Sequence, residues 1–177
     1  EMAQAANTAD TNYAPGLQID HCTFLGNVDA LSRGFVSSAL VFCRILDNLF
    51  TGFTLAAMGE ELDGSLVTRP AFSFPQYHIL RNIFADNKRN IDVPSQATLI
   101  AGNTIGLNRI NSLVANGGID LDGGSGNNTV TENHLSGTYA TGGAYRKAQS
   151  SDEWHGNHVP AGGTGTTAGM STGLPGQ

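Results

Sequence analysis

The acidic residues with the most informative spacing lie in two short segments, NIDV at 90–93 and GIDLD at 118–122. Asp120 and Asp122 are two apart, so on an extended strand both project from one side, roughly 6–7 Å from each other. Matching NIDV to GIDL sets Asp92 level with Asp120, which on stacked strands leaves about 5 Å between the two backbones. Lys88 and Arg89 precede the first segment, and GGAYRK brings Tyr145, Arg146 and Lys147 to the same face one repeat later. Two carboxylates can flank a glycosidic bond as acid and base, about 5–5.5 Å apart for retention and about 6.5–9.5 Å for inversion. Crowding raises the pKa of one and keeps it protonated as the acid. The other chemistry is eliminative cleavage of a uronate, with Tyr145 or Lys147 as base and a cation against the substrate carboxylate. Against both stands a plainer reading, in which outward carboxylates are solvated and discourage lateral aggregation.

Such a constellation needs strands held in register, and the chain contains a repeat that would hold them. The pattern apolar-x-x-Asn-x-apolar occurs as IDHCTF (19–24), ILDNLF (45–50), ILRNIF (79–84), IAGNTI (100–105), VTENHL (130–135) and WHGNHV (154–159). Its fourth residues stand at 22, 48, 82, 103, 133 and 157, at spacings of 26, 34, 21, 30 and 24. A minimum near 21 with variable excess is a fixed unit carrying loops of different length. Two short strands meeting at a tight bend satisfy the pattern, with the Asn turned inward. Stacked at the strand spacing of about 4.8 Å, the Asn amides bond one another in a ladder, and the apolar positions form columns. No unit buries its own face, so each depends on its neighbours. The third strand of each unit is visible upstream, in Gly34-Phe35-Val36, Asn90–Val93 and Gly118–Asp122.

On these residues the chain resembles a right-handed parallel β-helix of the pectate-lyase-like superfamily. The resemblance implies an all-β, single-stranded solenoid of about six coils over residues 13–159, with 1–12 as a lead-in continuing from a longer chain. The inward ladder would be Asn48, Asn82, Asn103, Asn133 and Asn157, with Cys22 in the first position. Residues 54–76 read as an inserted loop, and its Glu61 and Asp63 join Tyr145, Lys147 and Arg89 as candidate substrate contacts. Asp92, Asp120 and Asp122 are the candidate catalytic residues. Residues 160–177 are an uncharged Gly/Thr-rich tail. Trp154 is expected to cap the last coil. Cys22 and Cys43 are expected as two buried, unpaired thiols.

The histidines are expected to face outward, with His134 and His158 one coil apart as an outward pair. No third ligand joins them, so neither a metal nor another cofactor is expected. A net charge of −6 spread without long runs argues against a nucleic-acid footprint, which would be a basic patch. No apolar run approaches the ~20 residues of a membrane span.

Motifs of the carbohydrate-active relatives are missing: there is no Gly-His-Gly, no Asp-Pro-His, and only Gln18-Ile19-Asp20-His21 in place of Trp-Ile-Asp-His. The chain resembles instead the distal part of a bacteriophage tailspike, a homotrimer on a virion tail that binds bacterial surface polysaccharide and in many cases cuts it. The alternatives are a non-catalytic fibre or appendage segment, and a secreted polysaccharide lyase, hydrolase or epimerase.

Overall fold

The structure, a computed structural model, describes residues 14–27, 32–35, 40–59, 74–93, 95–106, 118–121, 126–135, 145–146 and 149–158. The described residues form strands, bends and turns and no helix. Three parallel sheets carry the fold. The first contains Gln18–Asp20, Arg44–Leu46, His78–Leu80, Leu99–Ala101, Thr129–Thr131 and Glu153–His155. The second contains Thr23–Leu25, Leu49–Thr51, Ile83–Ala85, Thr104–Ile105 and His134–Leu135. The third contains Arg33–Phe35, Ala56–Gly59, Ile91–Asp92, Ile119–Asp120 and Tyr145–Arg146. The chain visits the sheets in rotation, and each return adds a parallel strand beside the one before, an arrangement compatible with the expected β-helix.

The register explains the repeat. Its first position forms the column Ile19, Ile45, Ile79, Ile100, Val130 and Trp154. Its sixth forms Phe24, Phe50, Phe84, Ile105 and Leu135. The phenylalanines stack nearly parallel, Phe24 on Phe50 at 4.5 Å and Phe50 on Phe84 at 5.1 Å between centroids. The third sheet supplies Phe35, Met58, Ile91, Ile119 and Tyr145 to the same core. Three apolar columns thus line one interior, which no single circuit of the chain could bury alone.

The bend between the first two sheets is a left-handed residue followed by the ladder residue. His21, Asp47, Arg81, Gly102, Glu132 and Gly156 all have φ between 51° and 64°. That conformation costs a non-glycine residue roughly 1–2 kcal/mol, and the amide ladder behind it offsets the strain. Asn48 donates its backbone N–H and its side-chain amide to Asn82 Oδ1, and the same pair of hydrogen bonds links Asn82 to Asn103, Asn103 to Asn133 and Asn133 to Asn157. The second amide hydrogen of each goes to a carbonyl, that of Ile19, Ile45, Ile79, Ile100 and Val130 in turn. All five asparagines are buried. A buried amide needs such partners, and here the donors and acceptors match.

Two expectations need correction. Residues 54–76 are not one inserted loop, because Ala56–Gly59 is a paired strand of the third sheet, with Met58 opposite Ile91. Its run of small residues does not alternate and was therefore hidden from a period-2 reading. Phe74–Pro75 is again a strand, paired with Ser95–Gln96, while residues 60–73 lie outside the described residues. Cys22 is exposed rather than buried, and only Cys43 is a core thiol. Cys22 occupies the first ladder position, where its N–H bonds Asn48 Oδ1.

Candidate functional site

Of the predicted site residues, Asp92, Asp120, Arg89 and Tyr145 are described; Asp122, Lys147, Glu61 and Asp63 lie outside the described residues. Asp92 and Asp120 are paired in register on neighbouring strands of the third sheet, as the alignment of NIDV with GIDL required. Their solvent exposure is not as expected: each is only 2% exposed. The third sheet is buried on both faces at Ala56–Gly59, Ile91–Asp92 and Ile119–Asp120, whereas the described strands of the other two sheets alternate. Asp92 is held by Arg89, whose Nη1 donates to Oδ2 at 2.6 Å, with both side chains buried. Gly59 precedes Asp92 in this outward column at φ 132°, and a side chain there would run into the Asp92 carbonyl.

Tyr145 is not on the outer face. Register with Ile119 turns it inward, where it is fully buried and its ring stacks on Trp154 at 4.0 Å. Its hydroxyl donates to Asp152 Oδ2 at 3.4 Å. Burial pushes the phenol far above its ordinary range, and the Asp152 charge and hydrogen bond add to the shift. Such a phenol does not supply a phenolate base. Trp154 completes the first-sheet column, as expected of a core position.

The histidines stand closer to expectation. His134 and His158 are exposed and stack at 4.7 Å between ring centroids. His155 Nδ1 lies 2.9 Å from Thr131 Oγ1. Among the described residues no three metal-ligating side chains gather.

The site that the sequence did not reveal lies beside the first sheet. A groove of about 590 Å³ runs across four successive circuits of the chain. Its outer wall is the bend column Gly16, Phe42, Gln76 and Ala97, all at positive φ. Its inner wall is the strand column Gln18, Arg44 and His78, in register on adjacent strands. Buried Cys43 lies between Phe42 and Arg44, and burial pushes its thiol up. The floor continues into a second polar ladder: Tyr77 N–H bonds Thr98 Oγ1, Thr98 N–H bonds Asn128 Oδ1, and Asn128 donates twice to Asp152 Oδ1. Aligning the residues before each repeat would have placed Gln18, Arg44 and His78 in one column, since each immediately precedes the first Ile.

No protein-family model matches this chain, and neither a curated protein nor a solved structure is found similar to it.

Proposed function

We propose that the chain is the right-handed parallel β-helix of a tailspike-like protein, a solenoid of about six coils that binds bacterial surface polysaccharide. In this reading it works outside the producing cell or on a virion tail, as a homotrimer. The rotation of the chain through three parallel sheets and the asparagine ladder support the solenoid. The observation that carries binding is the groove across four circuits, which presents an exposed aromatic and several polar side chains along a rigid wall. A linear polymer meets such a wall in repeated register, on a strand backbone already held by the sheet.

The test is oligomeric mass by light scattering, then incubation of the same sample with a panel of bacterial surface polysaccharides. A trimer that retains one polymer supports the reading. A monomer that retains none leaves an inert fibre segment and ends it.

A second reading, depolymerisation, draws on the register of Asp92 with Asp120, with Asp122 as a third carboxylate. Neighbouring strands set the two backbones about 5 Å apart, and because both carboxylates are buried, retaining hydrolysis would require their cover to move aside before a polymer reached them. New reducing ends in the wild type that disappear in Asp120→Asn would support it. Unsaturated uronate ends would point to elimination instead, and an unshortened polymer would dismiss both chemistries.

A further inference from the structure

The geometry points to the groove beside the first sheet as the subsite for an acidic saccharide, with Arg44 receiving its carboxylate or sulfate and Phe42 stacking on a sugar ring. This rests on the polysaccharide reading and names the ligand class.

Arg44 is exposed and makes no ion pair or side-chain hydrogen bond among the described residues. One circuit on, Arg81 is held by a two-pronged bond to Asp47 at 2.7 and 2.8 Å. Arg89 is likewise committed to Asp92. Arg44 thus leaves its planar fork available for an outside oxyanion, which it can grip through two parallel bonds. Among the described residues, no carboxylate lines the groove. The nearest one on the neighbouring strand, Asp20, is engaged by Gln18 Nε2 at 2.8 Å. A groove whose described lining carries one guanidinium and no carboxylate selects an acidic ligand over a neutral one, against a net charge of −6 for the whole chain.

Phe42 adds the apolar face. It is 56% exposed, at φ 57°, a conformation rare for a bulky residue. On one side its neighbour in the bend column is Gly16, where an added side chain would meet nothing within 4 Å; on the other it is Gln76. The ring therefore stands beside a hollow. Gln76 in the bend column and His78 beside Arg44 supply hydrogen-bonding groups for hydroxyls. Four strands at about 4.8 Å make the groove roughly 14 Å long, the scale of a short oligosaccharide.

The experiment is calorimetric titration with uronate-, sialate- and sulfate-bearing oligosaccharides and with neutral dextran oligosaccharides of matched length. The surface-polysaccharide panel is run in parallel on the same proteins. The expected result is binding of an acidic oligosaccharide that weakens about tenfold or more in Arg44→Gln and about tenfold in Phe42→Ala. Added salt should weaken the wild type and have little effect on Arg44→Gln. Thr104→Ala, exposed on the second sheet, is the control and should bind as the wild type does. Retention of a polymer with unchanged affinity in Arg44→Gln and Phe42→Ala overturns the subsite while leaving the polysaccharide reading standing. Preference for neutral dextran overturns the acidic assignment. Failure to bind any polymer or oligosaccharide overturns both.

Discussion

Asn82 donates both its backbone N–H and its side-chain amide to one oxygen, Asn103 Oδ1, at 2.8 and 3.1 Å. Asn103 repeats the arrangement toward Asn133, so each rung is at once acceptor for one neighbour and donor to the next. Removing a rung therefore strands donors above it. Asn103→Ala should destabilise the fold by about 1–3 kcal/mol for each buried group left unbonded. Asn103→Asp should not restore stability, because it keeps the acceptor for Asn82 but turns a carboxylate toward Asn133 Oδ1. Urea unfolding of the two variants checks this, and an unchanged midpoint in Asn103→Ala would mean the ladder contributes nothing.

The first ladder position offers the opposite experiment. Cys22 N–H already bonds Asn48 Oδ1, but a thiol brings no amide to that oxygen. Cys22→Asn should add the missing side-chain bond and raise stability by about 0.5–1.5 kcal/mol, diminished by its exposure. The urea midpoint should rise with the slope unchanged. A fall would show that the first bend cannot seat an amide.

These two sites also show what the sequence could and could not disclose. Five asparagines at a fixed offset between apolar residues were legible because the ladder demands one residue type, and chance does not supply it repeatedly. The third sheet was legible at Ile91–Asp92 and Ile119–Asp120, where Ile and Asp alternate, and illegible at Ala56–Gly59, where small residues pack on both faces. Spacing sets Asp92 and Asp120 in register but does not reveal their burial, because alternation tells which side a residue faces and not what covers that side. Tyr145 failed differently. Its strand has only two residues, too few for alternation to fix a phase, and a one-residue slip exchanges core for surface. The groove escaped because its walls come from bends and strand starts, which the repeat pattern left unconstrained.

Arg89 and Asp92 form a buried pair whose loss should be asymmetric. Arg89→Met leaves the Asp92 carboxylate buried without its cation and should destabilise by about 3–5 kcal/mol. Adding Asp92→Asn to that variant removes the stranded charge and should recover more than half of the loss. Chemical denaturation of the single and double variants measures the coupling. Additive losses would show that the two side chains do not act as a pair.

Tyr145 sets a pH dependence whose sign follows from the direction of its shift. Burial foremost, with the Asp152 charge and hydrogen bond, raises the folded-state phenol far above its ordinary value of 10.0. Below that ordinary value both states hold the proton, and the group adds no pH dependence. Above it the unfolded chain releases the proton while the folded chain keeps it, so the unfolded state binds fewer protons and stability falls as pH rises. Tyr145→Phe should lose about 1 kcal/mol or less at neutral pH, since the hydroxyl bond it removes is long at 3.4 Å. From about pH 10 upward the wild type should lose stability faster than the variant, because the variant's phenyl ring has no proton to release in either state. The other three tyrosines are common to both proteins, so the difference between the two urea midpoints isolates this residue. Midpoints that fall in parallel through the alkaline range would mean that Tyr145 ionises as readily in the folded protein as outside it, which its place between Ile119 and Trp154 does not allow.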